Sequence, residues 1–326
     1  MSVVEQTEFQ ESKDTASDHP AVWAWSRLNT GAVDPGRIWV LKKRFKSTIY
    51  RIDNLGPGPS SIVAKYCRRE VAEHERVIYE DILPKLAVSS PCYYGFVKGE
   101  GDYDWLFLEC VEGERFCRER QDHCALAGTW LGHLHTLGEN AAVAGTRLPD
   151  RGIGHYLGQL RTARARFETN LKYLKLLEEE SAVVQSVISQ CNFLESHWKQ
   201  IERWCAQMPR TLVHGDFKPR NVVIRTTPQG PSLLTFDWET SGWGVPAEDL
   251  AYIDLGAYHA IAKRCWPKVT MQALQCMKIV GRIFRGLSEF CWESVKFEPH
   301  WEVSTVKLRV YQMRMAEGIE MAEWRE

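Results

Sequence analysis

The sequence predicts an α+β protein, in which a small β-rich lobe precedes a larger, mainly helical lobe. Residues 36–66 and 93–110 are rich in β-branched and aromatic residues and are broken by glycine and proline, which is typical of strands and turns. Apolar residues recur at helical spacing through most of 125–201 and again after residue 247. A short β patch at 211–237, with polar residues between its strands, interrupts the helical part.

The first lobe should contain five strands and one helix. The predicted strands are Arg37–Leu41, Ser47–Ile52, Ser61–Tyr66, Tyr93–Val97 and Trp105–Cys110. The helix is expected from about Arg69 to Leu83. Residues 1–20 are polar and acidic and are expected to form a frayed or disordered leader. The predicted lobes are therefore 21–111 and 112–326.

The second lobe should begin with an amphipathic helix at Ala125–Leu137. Two long helices, around 160–174 and 184–201, could then pair as a hairpin. Short strands are predicted at Thr211–Val213, Val222–Ile224 and Leu233–Phe236, and residues 247–325 should again be helical. The expected order is a β-rich lobe, then helices with a small β insert.

The composition excludes some classes of protein. The formal net charge of −1 gives no strong field for nucleic acid or for an anionic membrane surface. The ten cysteines form no CxxC pair and lack zinc-finger spacing, so reduced thiols are favoured over five disulfides. The N-terminal segment lacks an apolar signal core, and no run of about 18 apolar residues occurs. We expect a cytoplasmic protein without a membrane span.

The strongest chemical signal is the segment His214–Asn221, which reads HGDFKPRN and lies between two apolar stretches. A third apolar stretch ends at Asp237. Phosphoryl transfer needs a carboxylate that accepts the acceptor's proton, and oxygen ligands for Mg²⁺. We therefore assign Asp216 as the base, Asn221 as a Mg²⁺ ligand, and Asp237 as the carboxylate between metal and phosphates.

These motifs resemble the aminoglycoside phosphotransferase and choline-kinase-like branch of the protein-kinase fold. The segment GVPAEDLA at 244–251 is similar to the one that follows the metal aspartate in that family. The resemblance implies that Asp249 is a structural carboxylate that anchors the catalytic loop. It also implies a two-lobed protein-kinase-like fold, ATP or GTP as co-substrate with Mg²⁺, and a small hydroxylated acceptor.

The resemblance also gives roles to residues of the first lobe. Lys65 occupies the place of the strand lysine that contacts the α- and β-phosphates. Glu75 is the preferred ion-pair partner of Lys65, although helical phase alone leaves three other glutamates open: Glu70, Glu73 and Glu80. No GxGxxG precedes Lys65, and the turn Lys46–Thr48, with Ser47 at its centre, is expected to cover the phosphates instead.

Further positions follow from the same resemblance. Backbone groups from Glu109 to Val111 should bond the adenine edge at the hinge between the lobes. Lys218, two residues after the base, should neutralise charge on the transferring phosphoryl group. His214 is expected to brace the catalytic loop, and His135 is expected to be a packing residue.

The short segment between Asp237 and Asp249 leaves no room for a peptide-docking activation loop. A small acceptor is therefore predicted. The first candidates for contacts with it are Trp238, Glu239 and Trp243; further candidates are Glu248, Trp292, Trp301, Glu317 and Glu323. Acidic and aromatic lining of this kind would suit a cationic or a sugar-like acceptor.

The predicted function is an ATP-dependent O-phosphotransferase acting on an aminoglycoside, another antibiotic-like compound, a sugar or an amino alcohol. A metabolic kinase of the choline, fructosamine or homoserine type is the alternative within enzymes. A catalytically idle, kinase-like nucleotide-binding protein is the alternative outside them. The four residues Lys65, Asp216, Asn221 and Asp237 favour an enzyme, because decayed members of the family commonly lose one of them.

Overall fold

The computed structural model describes residues 10–11, 18–28, 36–44, 46–54, 59–139, 148–173, 176–297 and 305–324. Within this part of the chain the strands are β1 Gln10–Glu11, β2 Arg37–Arg44, β3 Ser47–Asp53, β4 Ser61–Arg68, β5 Tyr93–Lys98, β6 Tyr103–Glu109, β7 Glu114–Arg115, β8 Asp150–Arg151, β9 Thr211–Val213, β10 Val222–Thr227, β11 Gly230–Thr235 and β12 Gly242–Gly244. The helices there are α1 Pro20–Ser26, α2 Arg69–Arg76, α3 Gln121–Gly138, α4 Ile153–Leu171, α5 Glu178–Ser196, α6 Trp198–Cys205, α7 Leu255–Cys265, α8 Met271–Ser294 and α9 Val306–Glu320.

The chain divides into two compact units. The first contains residues 1–115 and 220–239, and the second contains 116–219 and 240–326. The segment 220–239, which the sequence assigned to the helical lobe, thus belongs to the first unit. The reason is strand pairing, because β10 pairs with β11 on one side and with β7 on the other.

The first unit is built on an antiparallel sheet of six strands in the order β1-β2-β3-β4-β6-β5. Side chains alternate between its faces, so Ile62 and Ala64 of β4 join the core that contains Trp25 of α1. Cys67 of the same strand packs instead with Ala72 of α2. Lys65 shares the face of Cys67, and this alternation directs it toward α2.

The second unit is helical around α8, a helix of 24 residues that packs against α4, α6, α7 and α9. The side chains of Asp254 and Thr270 accept hydrogen bonds from backbone N–H groups at the starts of α7 and α8, at 2.8 and 3.1 Å. A small sheet in the order β8-β12-β9 completes this unit.

Most of the predicted elements are present. The five strands of the first lobe are confirmed, and the predicted helix 69–83 is α2 continued by a wider turn at Val77–Ile82 and a 3₁₀ turn at Leu83–Lys85. The two long helices pack against each other as α4 and α5, but the second ends at Ser196 and the chain continues as α6.

The elements that the sequence did not predict are α1 and the very short strands β1, β7, β8 and β12. Strands of two or three residues show no periodicity, and their pairing is decided by partners that are distant in the chain. Residues 1–9 and 12–17 of the predicted leader lie outside the described residues, whereas Gln10 and Glu11 pair with β2.

The ten cysteines all lie within the described residues, and each is a free thiol. Of the helices that the structure describes, none combines the length and the apolar character that crossing a bilayer requires.

Candidate active site

The hairpin β10–β11 places the two predicted metal ligands side by side in the first unit. Val222 is opposite Thr235, and the N–H of Phe236 donates to the carbonyl oxygen of Asn221 at 2.9 Å. Asn221 precedes β10 and Asp237 follows Phe236, so both side chains belong to the same end of the hairpin. The sequence could not give this register, but it gave both residues.

Lys65 connects this end of the hairpin to α2. Its ammonium Nζ lies 2.8 Å from Glu75 Oε1 and 2.8 Å from Asp237 Oδ1. Among the four candidate glutamates, Glu75 is therefore the one found against Lys65. Burial alone would lower the pKa of Lys65, but the negative charges of Glu75 and Asp237 raise it well above its ordinary value. Lys65 is thus a cation at neutral pH, held in place by two carboxylates.

Asp237 adopts a backbone conformation that is uncommon for residues other than glycine. Its φ is +64°, in the left-handed region, which aspartate tolerates better than most side chains do. This bend separates β11 from the 3₁₀ turn Trp238–Thr240. A second cation, Lys42 of β2, has its Nζ 4.0 Å from Asp237 Oδ2. Lys42 belongs to the basic run Lys42–Lys46, and the structure directs this lysine to Asp237.

The other residues predicted to meet the nucleotide lie in the same unit. Ser47 is the first residue of β3 and is paired with Arg44, so Ser47 and Thr48 of the predicted turn lie in a strand, and only Lys46 lies in the β2–β3 connection. The N–H of Glu109 donates to the carbonyl of Cys92 at 2.9 Å, so this N–H is used within the unit. The carboxylate of Glu109 pairs with Arg225 at 2.5 Å. Val111 follows the end of β6 and is half-buried.

In the second unit, Asp249 holds the turn that contains the predicted base. Its carboxylate accepts hydrogen bonds from the backbone N–H groups of His214, at 2.7 Å, and Gly215, at 2.9 Å. His135 Nε2 lies 3.2 Å from the same carboxylate, and its Nδ1 lies 3.1 Å from the hydroxyl of Tyr258. Burial alone would raise the pKa of Asp249, but hydrogen bonds and the neighbouring imidazoles keep it below its ordinary value. These are the contacts that an anchoring carboxylate requires.

Two glycines allow this arrangement. Gly215 has a φ of +72°, and a Cβ at this position would lie 2.6 Å from the carbonyl oxygen of Thr240. Gly281 of α8 lies so close to the carbonyl of Ala247 that a Cβ would overlap it. The close approach at Gly281 brings α8 against the 3₁₀ turn that carries Glu248 and Asp249.

Asp216 is buried among cations. The ammonium of Lys218 contacts Asp216 Oδ2, and Arg285 of α8 has its NH1 3.6 Å from Asp216 Oδ1. Arg285 is in turn 3.6 Å from Glu289, one helical turn further along α8. His214 contributes its Nδ1 as acceptor for the N–H of Asp216, at 3.3 Å, which agrees with a bracing role.

The sequence profile of the phosphotransferase enzyme family (APH) matches residues 27–258. The chain belongs to this family. No curated protein sequence matches it.

Solved structures give the fold independently. The choline kinase of Cryptosporidium parvum Iowa II is similar with a TM-score of 0.60 at 11% identity, covering 94% of this chain and 92% of that one. A spectinomycin phosphotransferase, APH(9)-Ia, is similar with a TM-score of 0.59 at 10% identity, covering 89% and 94%. The phosphotransferase APH(2")-IIia is similar with a TM-score of 0.58 at 14% identity, covering 92% and 95%. The fold is therefore that of the protein-kinase-like phosphotransferases, as predicted.

A divalent cation fits the residues of this phosphotransferase. Asn221 and Asp237 offer hard oxygen atoms, which Mg²⁺ prefers. Among the described residues, no group of three or more histidine, cysteine, aspartate or glutamate side chains forms a metal cluster. Two protein ligands suit Mg²⁺, which usually retains water and binds substrate phosphates in its remaining positions.

The residues predicted to contact the acceptor have mixed positions. Trp238 is completely buried in the first unit, so its side chain has no surface to offer an acceptor, and its apolar ring serves the core. Glu239 is exposed in the same unit, and Trp243 is half-buried in β12 of the second. Glu317 and Glu323 are exposed, and Trp301 lies outside the described residues.

The second unit contains a cavity of about 150 Å³ whose lining includes Glu248 and Trp292 from the wider set of candidates. The sequence analysis missed Arg151 and His155 of this lining, and it also missed Arg285. Arg285 has a sequence signal, because a charged residue stands in the apolar run of α8, four residues before Glu289. Arg151 has none, because its place depends on the pairing of β8 with β12.

Proposed function

We propose that this protein transfers the γ-phosphoryl group of a nucleoside triphosphate to a hydroxyl group of a small molecule, with Mg²⁺ as the metal. Membership of the phosphotransferase family establishes the coarse class, and the resemblance of the His214–Asn221 segment to kinase catalytic loops supports the reaction. The following assignments are part of the proposal.

The observation that carries the proposal is the position of the Lys65 ammonium, 2.8 Å from both Glu75 and Asp237. A buried lysine on a central strand needs a reason to be charged there, because burying a cation is costly unless it is paired. The pairing fixes the ammonium beside Asp237. The carboxylate of Asp237 and the amide oxygen of Asn221, at the same end of the hairpin, suit Mg²⁺. Kinases hold a triphosphate with this combination of a strand lysine, a helix glutamate, and an aspartate and asparagine for the metal.

We assign the chemical step to the second unit's catalytic loop. Asp216 accepts the proton of the acceptor hydroxyl, the acceptor oxygen forms a bond to the γ-phosphorus, and the bond from that phosphorus to the β–γ bridging oxygen breaks. The nucleoside diphosphate is the leaving group. Lys218 contacts Asp216 and offers its ammonium to the charge on the phosphoryl oxygens. Bound Mg²⁺ would neutralise charge on the phosphates.

The structural neighbours leave the choice of nucleotide to experiment. One was solved with ADP and spectinomycin and another with GDP and kanamycin. We include both ATP and GTP, and both antibiotic-like and metabolic acceptors, because a choline kinase is as similar as the antibiotic kinases. The short segment from Asp237 to Asp249 supports a small acceptor over a protein.

The test is phosphate transfer across a panel of hydroxylated compounds. The protein is incubated with Mg²⁺ and ATP or GTP, and with aminoglycosides, spectinomycin, choline, ethanolamine, homoserine, fructosamines, sugars and polyols. Mass spectrometry then detects the gain of one phosphate. Asp216→Asn is the inactive control, and chelation of Mg²⁺ should stop the reaction. Phosphorylation of generic proteins with no transfer to any small compound would refute the proposal.

A further inference from the structure

The cavity of the second unit lies directly beside the catalytic loop. Gly215, the neighbour of Asp216 in the chain, forms part of its wall, and Thr240 faces the same space. The rest of the wall comes from β8, which supplies Arg151, from α4 and α8, and from the turn that carries Glu248. Its volume of about 150 Å³ is equivalent to roughly five water molecules at ~30 Å³ each. This is room for a compact polar group.

The charged residue of this wall at neutral pH is a cation. Arg151 lines the cavity, and its NH1 lies 3.2 Å from the ring of His155. Its Nε is buried without a hydrogen-bond partner among the described residues. Burial and the charge of Arg151 lower the pKa of His155 to about 4, so this imidazole is neutral at pH 7. Arg151 is therefore the residue whose positive charge an ammonium group in the cavity would meet, and the neutral imidazole adds none.

Glu248 is the acidic residue of the wall, and its environment keeps it protonated. Burial raises its pKa to about 8. The Tyr156 hydroxyl donates to Glu248 Oε2 at 3.0 Å, whereas Oε1 is buried with no hydrogen-bond partner among the described residues. That pKa lies about one unit above pH 7, so only about a tenth of the molecules carry an ionised Glu248 at pH 7. A ligand whose ammonium group requires the ionised form would therefore bind with an apparent affinity about ten-fold lower. The carboxyl group is better suited to exchange hydrogen bonds with a hydroxyl.

The remaining wall suits a hydroxyl-rich ring. Ser288 Oγ donates to Gln159 Oε1 at 3.1 Å, so neighbouring hydroxyl and amide groups are held in place on α8 and α4. Trp292 is 42% exposed and offers an aromatic face. The Nζ of Lys218 lies 5.7 Å from the centre of the Trp292 ring, which links the catalytic loop to this edge of the cavity. A cation is already held at this ring, so the ring is a poor site for a second one.

We propose that this cavity binds the acceptor, and that it selects a neutral, hydroxyl-rich ring, a sugar or cyclic polyol, over an amine-bearing one. This inference rests on the proposed function and decides between the sugar-like and cationic acceptors that the sequence left open. Arg151 is its specificity-determining residue, because it excludes ammonium groups and donates hydrogen bonds to hydroxyl oxygens. Glu248 and Trp292 contribute a hydrogen-bonding carboxyl group and a stacking face.

The experiment compares matched pairs of compounds at pH 7: glucose with glucosamine, galactose with galactosamine, and myo-inositol with its monoamino analogue. Phosphate transfer gives kcat/KM, and calorimetry gives binding in the presence of Mg²⁺ and a non-hydrolysable nucleotide. We expect at least one neutral member to be a substrate, with kcat/KM about ten-fold above that of its amine partner. Preference for the amine members, or binding of no neutral member, overturns the inference.

Single substitutions test which residues of the cavity cause the preference for neutral compounds. Arg151→Gln should reduce the preference for the neutral member of each pair by about three-fold, because the repelling charge is gone while the cost of ionising Glu248 remains. Arg161→Gln is the matched control, since Arg161 lies on α4 and pairs with Glu195 at the surface; it should leave the ratio unchanged. If Arg151→Gln does not fold, Trp292→Ala serves, because its side chain is exposed. It should raise KM for the neutral ring several-fold at unchanged KM for nucleotide, and an unchanged KM for the ring overturns the inference.

The two proposals fail in different ways. Phosphorylation of amines such as kanamycin or choline, in preference to neutral rings, leaves the phosphotransferase function standing and removes this inference. Failure to phosphorylate any member of the broad panel of hydroxylated compounds removes the proposed function itself.

Discussion

Asp216 and Asp249 show that two residues of the same type can have different roles in one site. Both are buried in the second unit. Asp249 is saturated by two backbone N–H groups and His135, so its carboxylate is used to hold the loop. Asp216 instead faces Lys218 and Arg285. A carboxylate with cationic neighbours at a loop suits proton transfer, and one locked by backbone donors suits positioning.

Asp216→Asn tests the assignment of the base. We expect kcat to fall by about 10²–10⁴-fold, because a positioned general base contributes an effect of this size. The affinity for Mg²⁺-nucleotide should change little, since Asp216 is not among the residues assigned to the nucleotide. Steady-state kinetics and calorimetry measure the two quantities. A variant that retains more than about a tenth of the wild-type kcat would show that another group is the base.

Asp237→Ala tests the assignment of Asp237 to the binding of Mg²⁺-nucleotide. A ligand at a hundred times its Kd stabilises the folded state by about 2.7 kcal/mol. We expect the increase in Tm caused by Mg²⁺-nucleotide to be largely lost in this variant, because Asp237 contributes an oxygen ligand and contacts Lys65. Asp53→Ala is the control, since Asp53 lies on β3 and pairs with Arg51. An unchanged Mg²⁺-dependent shift in Asp237→Ala would return Asp237 to a structural role.

At the scale of elements, the site depends on close approaches between backbones. The helix α8 carries Arg285, and it approaches the turn of Glu248 and Asp249 through Gly281. A side chain at this position would push the helix away from that turn. Protein interiors are close-packed, so such a displacement is not absorbed locally.

Substituting glycine by alanine on two helices should therefore have opposite effects. Gly281→Ala places a Cβ against the carbonyl of Ala247 and should destabilise the protein by about 1–3 kcal/mol. Gly158→Ala on α4 meets no atom within 4 Å and should stabilise it by about 0.5–1 kcal/mol, since alanine favours helix. Chemical denaturation measures both. Equal effects at the two positions would contradict the close approach at Gly281.

At the scale of the whole molecule, Glu248 couples folding stability to pH. The charged and titratable groups that act on it are Arg285, Asp216, Asp249, Tyr156 and Arg151. Burial is the largest influence and raises its pKa from 4.5 to about 8 in the folded state. The folded state therefore holds this proton where the unfolded chain has lost it. The resulting stability is fully present below pH 4.5, declines as the pH rises to about 8, and is absent above that.

Glu248→Gln should flatten this dependence, because glutamine does not ionise. Between pH 5.5 and 8.5 the free energy of unfolding of the wild type should fall by a few kcal/mol more than that of the variant, at about 1.4 kcal/mol per unit. Denaturation at several pH values measures the difference. Glu179→Gln, at a glutamate whose side chain is 84% exposed, should follow the wild type. Parallel curves for wild type and Glu248→Gln would show that Glu248 ionises normally when folded.

The sequence by itself determined the fold class, the five longer strands of the first lobe and the main helices. The reason is that each repeats its own pattern of apolar residues over several turns or pleats. It also supplied the residues assigned to chemistry, because Asp216, Asn221 and Asp237 stand at fixed places relative to apolar stretches. Asp249 was named from the resemblance of the segment at 244–251 to the family, and the structure shows which backbone groups it holds.

Only the tertiary structure decided which residues meet. The choice of Glu75 for Lys65 needed the packing of α2 on β4, and helical phase could not supply it. The inclusion of 220–239 in the first unit followed from the pairing of β10 with β7, whose partners lie more than a hundred residues apart. The cavity depends on Arg151, Glu248 and Trp292 from separate elements. Such contacts arise from chain segments that only folding brings together, and local patterns carry no record of them.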